Sequence, residues 1–397
     1  MKKIVLTGGG SAGHVTPHLA LLPHLLKEGY EVHYIGTQDG IEHGMVGNLP
    51  GVTYHVVKSG KLRRYFDWKN FTDPFRVIAG AFQSAHLMRR LKPDVCFSKG
   101  GFVSVPVVVG AWLHGVPVLC HESDLTPGLA NKICARFAKK VATTFPECAQ
   151  ALAPKGVFTG TPLRPELFSG SREKGLAMAH FTADKPVLLM MGGSLGAQSV
   201  NAALRAALPK LLPHMQVFHL CGKGNLDESL KGLDGYYQVE FLSDTLPDAM
   251  AAADYILSRA GSNALCEFQA LGKPMLLIPY PKGASRGDQI LNAASYEKRG
   301  LARVLPQEQM TPDSLEQAIM ALVRDGDAMR AALRDAPPAD GTMAVLADGM
   351  GKQYGGKIAS RIAVEVFQDM FQDANAFYNP QYYFRRAFHG ANQEILN

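Results

Sequence analysis

Two glycine-rich segments, one in each half of the 397-residue chain, limit the folds that this sequence can adopt. Residues 7–14 read TGGGSAGH and residues 192–198 read GGSLGAQ, and each segment directly follows a short apolar run. A strand that ends in glycines before a helix opens many doubly wound α/β domains, because glycine permits the tight turn at the sheet edge. The repetition predicts two such domains in series, each of ordinary size.

Short apolar runs alternate with amphipathic stretches along both halves, which is the pattern of repeated βα units around a parallel sheet. The candidate strands of the first half are residues 4–6, 31–35, 95–98, 116–120 and 140–143. Those of the second half are residues 186–191, 216–220, 238–241, 255–258, 275–279 and 302–305. Between the halves, a polar stretch interrupted by Gly170 and Gly175 is typical of a linker.

We therefore expect an α/β protein of two Rossmann-like, doubly wound parallel-sheet domains facing a central cleft, since such sheets bind ligands beyond the carboxyl ends of their strands. The expected boundaries are residues 1–165 for the N-terminal domain, 166–185 for the linker and 186–350 for the C-terminal domain. A C-terminal helix and an aromatic tail are expected over residues 351–397.

Charge and cysteine usage argue against several classes of protein. The net charge of +6 arises without a long basic run, so nucleic-acid binding is not expected. The six cysteines lack Cys-x-x-Cys spacing, which favours reduced thiols in a cytosolic protein. The longest apolar stretch, residues 102–113, contains Pro106 and Gly110 and is too short to span a bilayer. Any membrane contact should therefore be peripheral.

The first glycine segment also fits a dinucleotide-binding motif. Gly8, Gly10 and Gly13 have G-x-G-x-x-G spacing after a strand, which makes a nicotinamide or flavin enzyme the first rival interpretation. Such an enzyme needs an acidic residue at the end of its second strand, but Ile35 is followed by Gly-Thr-Gln, and Asp39 comes late. We interpret the segment as a turn that directs backbone amides at an anion, and we expect no cofactor.

Two titratable side chains in the first domain occupy positions suited to chemistry. His14 lies in the first turn of the helix after the glycines, and histidine, with an ordinary pKa of ~6.5, can remove a proton from an alcohol. Glu122 follows the candidate strand 116–120. A second amide-rich turn is expected at Gly100 and Gly101, in the sequence KGGF after another strand.

The second domain offers side chains suited to a nucleotide sugar. Ser194 lies within the second glycine turn, where its hydroxyl could hold a diphosphate. Glu267 lies one to two turns into the helix after strand 255–258, where a carboxylate can accept both hydroxyls of a ribose. Gln289, in the sequence RGDQ, suits sugar hydroxyls. The sequence has no Asp-x-Asp run at a strand end and no His/Cys set with metal-ligand spacing, so metal-independent chemistry is favoured.

The ordered series of motifs resembles the MurG-type transferases of peptidoglycan synthesis, which have the GT-B fold. It comprises GGGSAGHVTP, KGGFVSVP, HESDLTPGLANK, GTPLR, GGSLGAQ, SRAGSNALCE and RGDQILNA, and covers residue 1 to about residue 345. The resemblance implies that the second domain binds uridine diphospho-N-acetylglucosamine (UDP-GlcNAc). It also implies that the first domain receives an undecaprenyl-diphospho-muramyl-pentapeptide acceptor.

The resemblance further assigns roles to individual residues. Donor contacts are implied at Ser11, Ala12, Gly13, Arg164, Ser194, Leu242, Glu267 and Gln289. The acceptor diphosphate is assigned to Gly10, Gly100 and Gly101. The implied reaction is a single displacement, in which the muramyl 4-hydroxyl attacks the anomeric carbon of the donor sugar and inverts it. One base is needed, for which His14 is the first choice and Glu122 the second.

Two other functions stay open at the level of sequence. A UDP-sugar epimerase shares this architecture and would need no lipid acceptor. A non-catalytic, peripheral lipid-binding protein would not need intact sites at His14 and Glu267.

A helical stripe in the first domain predicts how the protein could meet a membrane. Phe71, Phe75, Ile78 and Phe82 recur at three- and four-residue steps. Basic residues lie nearby or could join them in space: Lys61, Arg63, Arg64, Lys69, Arg76, Arg136, Lys139 and Lys140. Such a stripe usually faces the protein's own core, but the lipid-linked acceptor favours an anionic membrane surface at the cytoplasmic face.

Overall fold

A computed structural model describes residues 2–60, 69–193, 196–282, 287–337 and 339–341 of the chain, with the side chains of residues 69–74 excepted. The chain divides into a first unit, Met1–Arg164 together with the segment from Asp340, and a second unit, Pro165–Ala339. Each unit contains one parallel sheet.

The first unit is built on a seven-stranded sheet. Its strands are β1 (Lys3–Gly8), β2 (Glu31–Gly36), β3 (Val52–Val56), β4 (Val95–Gly100), β5 (Val118–Glu122), β6 (Lys140–Thr143) and β7 (Gly156–Phe158). Its helices are α1 (Thr16–Lys27), α2 (Ile41–Val46), α3 (Lys69–Leu91), α4 (Ser104–Leu113), α5 (Leu129–Phe137) and α6 (Pro146–Ala151). The strand order is β3-β2-β1-β4-β5-β6-β7, and all neighbours are parallel.

Both faces of this sheet are buried. Along β1, Ile4 and Leu6 pack in one core cluster and Val5 packs in another, because successive side chains of a strand point to opposite faces. A parallel sheet covered by helices on both sides therefore has nearly continuous apolar strands. This is why the central strands could be recognised as short apolar runs.

The second unit is built on a six-stranded parallel sheet. Its strands are β8 (Val187–Met191), β9 (Gln216–Leu220), β10 (Tyr236–Val239), β11 (Tyr255–Ser258), β12 (Met275–Leu277) and β13 (Arg303–Val304). Its helices are α7 (Arg172–Ala179), α8 (Gln198–Leu211), α9 (Leu246–Ala252), α10 (Ser262–Ala270), α11 (Asp288–Lys298) and α12 (Pro312–Asp335). The strand order is β10-β9-β8-β11-β12-β13.

All eleven expected strands are present, with ends displaced by up to two residues. Two further strands, β3 and β7, were not expected. Each lies at an edge of the first sheet. β3 consists of half-buried and exposed residues, and β7 has only three residues, so neither forms a continuous apolar run.

The segment expected to be a linker, residues 166–185, differs from that expectation because it contains α7. Ser171 caps this helix by accepting from the Lys174 amide at 3.3 Å. Arg172 donates to both carboxylate oxygens of Asp254, at 3.2 and 3.1 Å, which ties α7 to the second unit. Gly175, which suggested irregular structure, allows close packing instead, since a Cβ there would lie 2.1 Å from a backbone oxygen of α9.

After α12 the chain returns to the first unit. Asp340 forms a parallel bridge with Thr161, and its Oδ1 accepts from the Leu163 amide at 3.4 Å. The Gly341 amide donates to the Thr161 carbonyl at 2.8 Å. The expected C-terminal helix and aromatic tail, residues 351–397, lie outside the described residues.

The strand order identifies where each sheet can bind a ligand. In the first sheet the order reverses between β1 and β4, and in the second it reverses between β8 and β11. Helices leave the carboxyl ends of these strand pairs in opposite directions, which opens a crevice at each point. Both glycine-rich turns follow strands at these reversals.

Candidate active site

The glycine turn after β1 places His14 at the carboxyl edge of the first sheet. Gly10 has φ of 80°, and the chain continues through a short 3-10 helix, Ala12–His14, into α1. His14 Nδ1 lies 2.9 Å from the Gly9 carbonyl oxygen and 3.0 Å from Ser11 Oγ. Since a carbonyl oxygen can only accept, Nδ1 carries the proton and the lone pair is on Nε2. A general base that acts through Nε2 requires this tautomer.

The predicted donor contacts at this turn lie on accessible backbone. Ser11, Ala12 and Gly13 are exposed, and so is Gly10. The amide of Gly10 donates to Oε2 of Glu42 at 3.2 Å. The assignment of Gly10 to the acceptor diphosphate stays a prediction, and its amide already has a carboxylate acceptor in this structure.

The second amide-rich turn packs directly against the first. Gly100 pairs with Gly8 in the sheet register, and Gly100 and Gly101 have φ of 89° and 82°. A Cβ on Gly101 would lie 2.2 Å from the Gly9 carbonyl oxygen and 3.0 Å from His14 Nδ1. Only glycine fits this contact. The structure therefore brings two glycines predicted to hold the acceptor diphosphate beside the predicted base.

A buried lysine precedes these glycines. Lys99 is 1% exposed, and its Nζ lies 2.6 Å from His121 Nδ1 and donates to Ser123 Oγ. His121 Nε2 donates to the Gly160 carbonyl at 2.8 Å, so Nδ1 accepts from the lysine. Burial and the lysine charge hold the pKa of His121 well below its ordinary value. The lysine thus places a buried positive charge beside His121 and Ser123, near the carboxyl ends of β4 and β5, where it favours a bound anion.

A second buried histidine supports the first glycine turn. His18 is fully buried, and its Nδ1 donates to the Tyr34 hydroxyl at 3.1 Å, because that hydroxyl donates to the Gly8 carbonyl at 2.6 Å. Burial, with smaller contributions from Lys99 and His14, lowers the pKa of His18 to about 3. His18 is therefore neutral at physiological pH and has a structural role at the turn.

Glu122, the second choice of base, is committed to its own loop. Its carboxylate is buried and accepts from the Asp124 amide at 3.0 Å, the Gly128 amide at 2.9 Å and Asn131 Nδ2 at 2.9 Å. Burial raises its pKa, and the hydrogen bond from Asn131 partly offsets that rise. These three donors hold the segment between β5 and α5. The geometry therefore favours His14 over Glu122 as the base.

The second glycine turn has the same form at the end of β8. Gly193 and Gly196 have φ of 85° and 75°, and α8 begins two residues after Gly196. A Cβ on Gly196 would lie 2.1 Å from the Cys221 carbonyl oxygen, which also accepts from Asn201 Nδ2 at 2.8 Å. Ser194, the predicted diphosphate contact, lies outside the described residues.

Three predicted donor contacts lie beyond the carboxyl ends of strands in the second sheet. Leu242 follows β10 and is half-buried, and Glu267 lies on α10, the helix after β11, also half-buried. Gln289 lies in the first turn of α11, and its Oε1 accepts from the Tyr280 amide at 3.2 Å. A fourth contact, Arg164, is the last residue of the first unit before the chain enters the second, and it is half-buried.

Arg259, for which no role was expected, organises the same edge of the second sheet. Arg259 is 7% exposed, donates to the Ile278 carbonyl at 2.9 Å and stacks on the Tyr280 ring at 4.2 Å. It therefore fixes the loop after β12 whose Tyr280 amide contacts Gln289. The one feature of the sequence that could have indicated this role is the position of Arg259 directly after β11.

Two general features of the described residues bear on function. No three His, Cys, Asp or Glu side chains in the described ranges are arranged to share a metal ion. Among the helices of those same ranges, none has the length and apolar character needed to cross a membrane.

Comparison with protein families shows a match in each unit. The model of the glycosyltransferase family 28 N-terminal domain matches residues 4–143, and the model of the family's C-terminal domain matches residues 187–341. Both glycine turns and the whole second sheet lie within these matches, whereas β7 of the first sheet lies outside them.

Individual proteins are similar over nearly their whole length. The UDP-N-acetylglucosamine--N-acetylmuramyl-(pentapeptide) pyrophosphoryl-undecaprenol N-acetylglucosamine transferase of Geobacillus thermodenitrificans is 53% identical over 347 residues, covering 87% of this chain and 98% of that protein. The Clostridium kluyveri protein of the same name is 56% identical over 316 residues, covering 79% and 89%.

Solved structures have the same two-unit architecture. The crystal structure of Acinetobacter baumannii MurG is 28% identical with a TM-score of 0.71, covering 87% of this chain and 98% of that one. The calicheamicin glycosyltransferase CalG4 is 16% identical with a TM-score of 0.63, covering 94% and 99%, and shows the fold alone. The expected fold class, two Rossmann-like parallel-sheet domains, is confirmed.

Proposed function

The chain belongs to glycosyltransferase family 28, and we propose that it transfers N-acetylglucosamine from UDP-GlcNAc to the muramyl sugar of undecaprenyl-diphospho-muramyl-pentapeptide. It is an N-acetylglucosaminyltransferase of peptidoglycan synthesis. The observation that carries this conclusion is the match at 53% identity to a relative of that name over 98% of the relative's length. The family matches, residues 4–143 and 187–341, include both glycine turns and every described residue predicted to bind the donor except Arg164.

The arrangement around His14 supports a one-step, inverting reaction. As the muramyl 4-hydroxyl oxygen bonds to the anomeric carbon, the bond from that carbon to the diphosphate oxygen breaks and uridine diphosphate leaves. Nε2 of His14 takes the hydroxyl proton, since Nδ1 already donates to the Gly9 carbonyl. No covalent sugar–enzyme intermediate forms, so one base is sufficient.

The phosphate groups of the two substrates would bind at glycine turns, and the ribose of the donor would bind at α10. The turn at Gly193 and Gly196 precedes α8, whose N-terminus favours the negative charge that develops on the leaving diphosphate. The carboxylate of Glu267 would accept hydrogen bonds from the ribose hydroxyls of the donor. The turn at Gly100 and Gly101, next to the buried Lys99, would hold the acceptor diphosphate.

A transfer assay tests the proposal directly. The protein is incubated with labelled UDP-GlcNAc and a short-chain muramyl-diphospho lipid, and the label is followed into a β-linked disaccharide lipid with equimolar release of uridine diphosphate. Sugar isomerisation without an acceptor would indicate an epimerase instead. Acceptor binding without release of uridine diphosphate would indicate a lipid-binding protein.

We also propose that the protein binds the cytoplasmic face of the membrane peripherally, through the outer face of α3. Phe75 and Phe82 are each 73% exposed and Ile78 is 54% exposed, so these side chains are not part of the first unit's core. The opposite face of the helix is buried and includes Ser84 and Met88. The fourth member of the stripe, Phe71, and the basic residues Lys61, Arg63, Arg64 and Lys69 lie outside the side chains that the structure describes.

The exposed stripe and its charges suit an anionic bilayer surface. Moving one such aromatic or aliphatic side chain fully out of water contributes ~1.5–3 kcal/mol, and each nearby basic residue contributes about 1 kcal/mol. Arg76 is exposed on the same helix, and Arg136, Lys139 and Lys140 are exposed in and after α5. Partial insertion with a few such charges would give reversible, salt-sensitive binding.

Vesicle co-sedimentation tests this second proposal. The double variant Phe75→Ser, Phe82→Ser should lose binding to vesicles with anionic lipid while its melting temperature stays unchanged. Phe168→Ser is the matched control, because Phe168 is 50% exposed in the second unit. Equal vesicle binding by the double variant and the control would show that the outer face of α3 is not the membrane-binding surface.

A further inference from the structure

One peptide bond in the first glycine turn connects His14 to a buried carboxylate. The carbonyl oxygen of Gly9 accepts from His14 Nδ1 at 2.9 Å, and the amide of Gly10 donates to Glu42 Oε2 at 3.2 Å. These two groups belong to the same Gly9–Gly10 peptide unit. A continuous path of hydrogen bonds therefore runs from the imidazole through the peptide to the carboxylate.

The carboxylate of Glu42 is held in place by other donors. The side chain is 0% exposed, and its Oε1 accepts from the Thr37 amide at 3.1 Å and from Thr37 Oγ1 at 2.6 Å. Because one oxygen is fixed by Thr37, the other is directed at Gly10. Glycines leave room for it, since a Cβ would lie 2.4 Å from this carboxylate at Gly9 and 2.1 Å from it at Gly40.

We propose that Glu42 is a positioning residue that acts on His14 through the Gly9–Gly10 peptide bond. The inference rests on the proposed function, in which His14 is the base. A carboxylate beside the amide N–H polarises the peptide and makes the Gly9 carbonyl a stronger acceptor. The carbonyl then holds the imidazole with its proton on Nδ1 and stabilises the positive charge that forms when Nε2 takes the proton of the 4-hydroxyl.

The proton balance of this step is simple. The hydroxyl proton moves to Nε2, the Nδ1 proton stays on Nδ1, and Glu42 keeps its charge throughout. The arrangement corresponds to the carboxylate–histidine pair of hydrolases with a peptide unit inserted between the two side chains. Its effect should be smaller than that of a direct contact, because the charge lies farther from the ring.

The neighbouring titratable groups define the background for a pH experiment. On the imidazole side, burial lowers the pKa of His18 to about 3, and Lys99 and His14 make smaller contributions to that shift. On the carboxylate side, burial and the Glu42 charge raise the pKa values of Tyr34 and Tyr54 far above neutrality. We therefore expect that Tyr34, Tyr54 and His18 do not titrate in the pH range in which His14 acts.

The substitution Glu42→Gln tests this path of hydrogen bonds from Glu42 to His14, called the relay below. It removes the charge of the side chain while keeping its size. We expect kcat to fall about tenfold, equivalent to ~1.4 kcal/mol in the barrier, with the donor KM nearly constant. The acidic limb of the pH–kcat profile should move to lower pH by about half a unit to one unit, because the imidazolium loses a stabilising charge. Glu42→Asp, which keeps the charge, should restore much of the profile.

Thr37→Val is the matched control for a purely structural role. It removes a hydrogen bond to the other oxygen of Glu42 but leaves the charge and the Gly10 contact. We expect it to lower the melting temperature about as much as Glu42→Gln without moving the pH–kcat profile. If both variants, or neither, move the profile, the relay is wrong and Glu42 only ties the two turns together.

Two further measurements keep the outcome decisive. In a His14→Ala background, Glu42→Gln should have little additional effect on kcat, whereas equal loss in both backgrounds would overturn the relay. The imidazole tautomer of His14 in the unmodified protein can be read by nitrogen NMR even if Glu42→Gln does not fold. A proton on Nε2 instead of Nδ1 would overturn the inference, while absence of sugar transfer by the unmodified protein would overturn only the proposed function.

Discussion

Substitution of Gly101 by alanine should separate the geometry of the candidate site from ordinary backbone strain. Gly101 has φ of 82°, and a Cβ there would lie 2.2 Å from the Gly9 carbonyl oxygen. Gly115, which follows α4, has φ of 69°, and a Cβ there would meet nothing within 4 Å. Both alanine variants share the left-handed backbone cost of ~1–2 kcal/mol, so only the overlap differs between them.

The magnitudes follow from that comparison. For a unit of this size, ~1–2 kcal/mol corresponds to a fall in melting temperature of ~2–8 °C, which we expect for Gly115→Ala with normal kinetics. Gly101→Ala must also displace the Gly9 carbonyl that holds His14 Nδ1, and a displacement of about 1 Å at a catalytic group can reduce turnover ~10²-fold. We therefore expect a larger fall in melting temperature and a loss of kcat.

Calorimetry and steady-state kinetics on the two variants decide the matter. Equal melting temperatures with equal kcat would mean that the contact between Gly101 and the first turn does not position His14. A low melting temperature with normal kcat for Gly101→Ala would mean that the overlap strains the turn without displacing His14.

Three other predictions concern His14, Glu267 and His219, a fully buried histidine of β9 in the second unit. His14→Ala should lower kcat ~10²–10⁴-fold with little change in donor KM, and near-normal turnover in steady-state assays would exclude it as the base. Glu267→Ala should raise the donor KM by a factor equivalent to ~1.5–3 kcal/mol, and an unchanged KM in a folded variant would remove it from the donor site. Because burial lowers the folded-state pKa of His219 from its ordinary value of 6.5 to about 3, its neutral form stabilises the protein fully above pH 6.5. That contribution falls by about 2 kcal/mol between pH 7 and pH 5, so chemical denaturation of His219→Gln should show a smaller acid-induced loss than the unmodified protein; equal losses would contradict the buried neutral histidine.

The sheets could be predicted from sequence because burial on both faces produces apolar runs. The edge strands β3 and β7 lack such runs, and the helix α7 was hidden by Gly175, which serves packing and not chain reversal. In each case a contact distant in sequence determined the local structure. Single-sequence patterns do not contain that information.

The candidate site was predictable only where it is local. The glycine turns and His14 form one contiguous motif, so their proximity follows from the chain itself. Glu42 reaches the turn across 32 residues, from a helix that follows the neighbouring strand, and nothing in its own segment indicated the contact. The stripe at Phe75 and Phe82 shows the same limit, since helical periodicity identifies a face without saying whether protein or solvent covers it.

Because the chain returns to the first unit at Asp340, the second unit is an insertion within the first. The chain leaves the first unit after Arg164 and re-enters it at Asp340, whose side chain accepts a hydrogen bond from the amide of the neighbouring Leu163. A segment whose two ends lie side by side can be exchanged for another without stretching its host, because a short loop would also close the gap. Gene fusion at these two points should therefore join the same first unit to a different second unit without straining it.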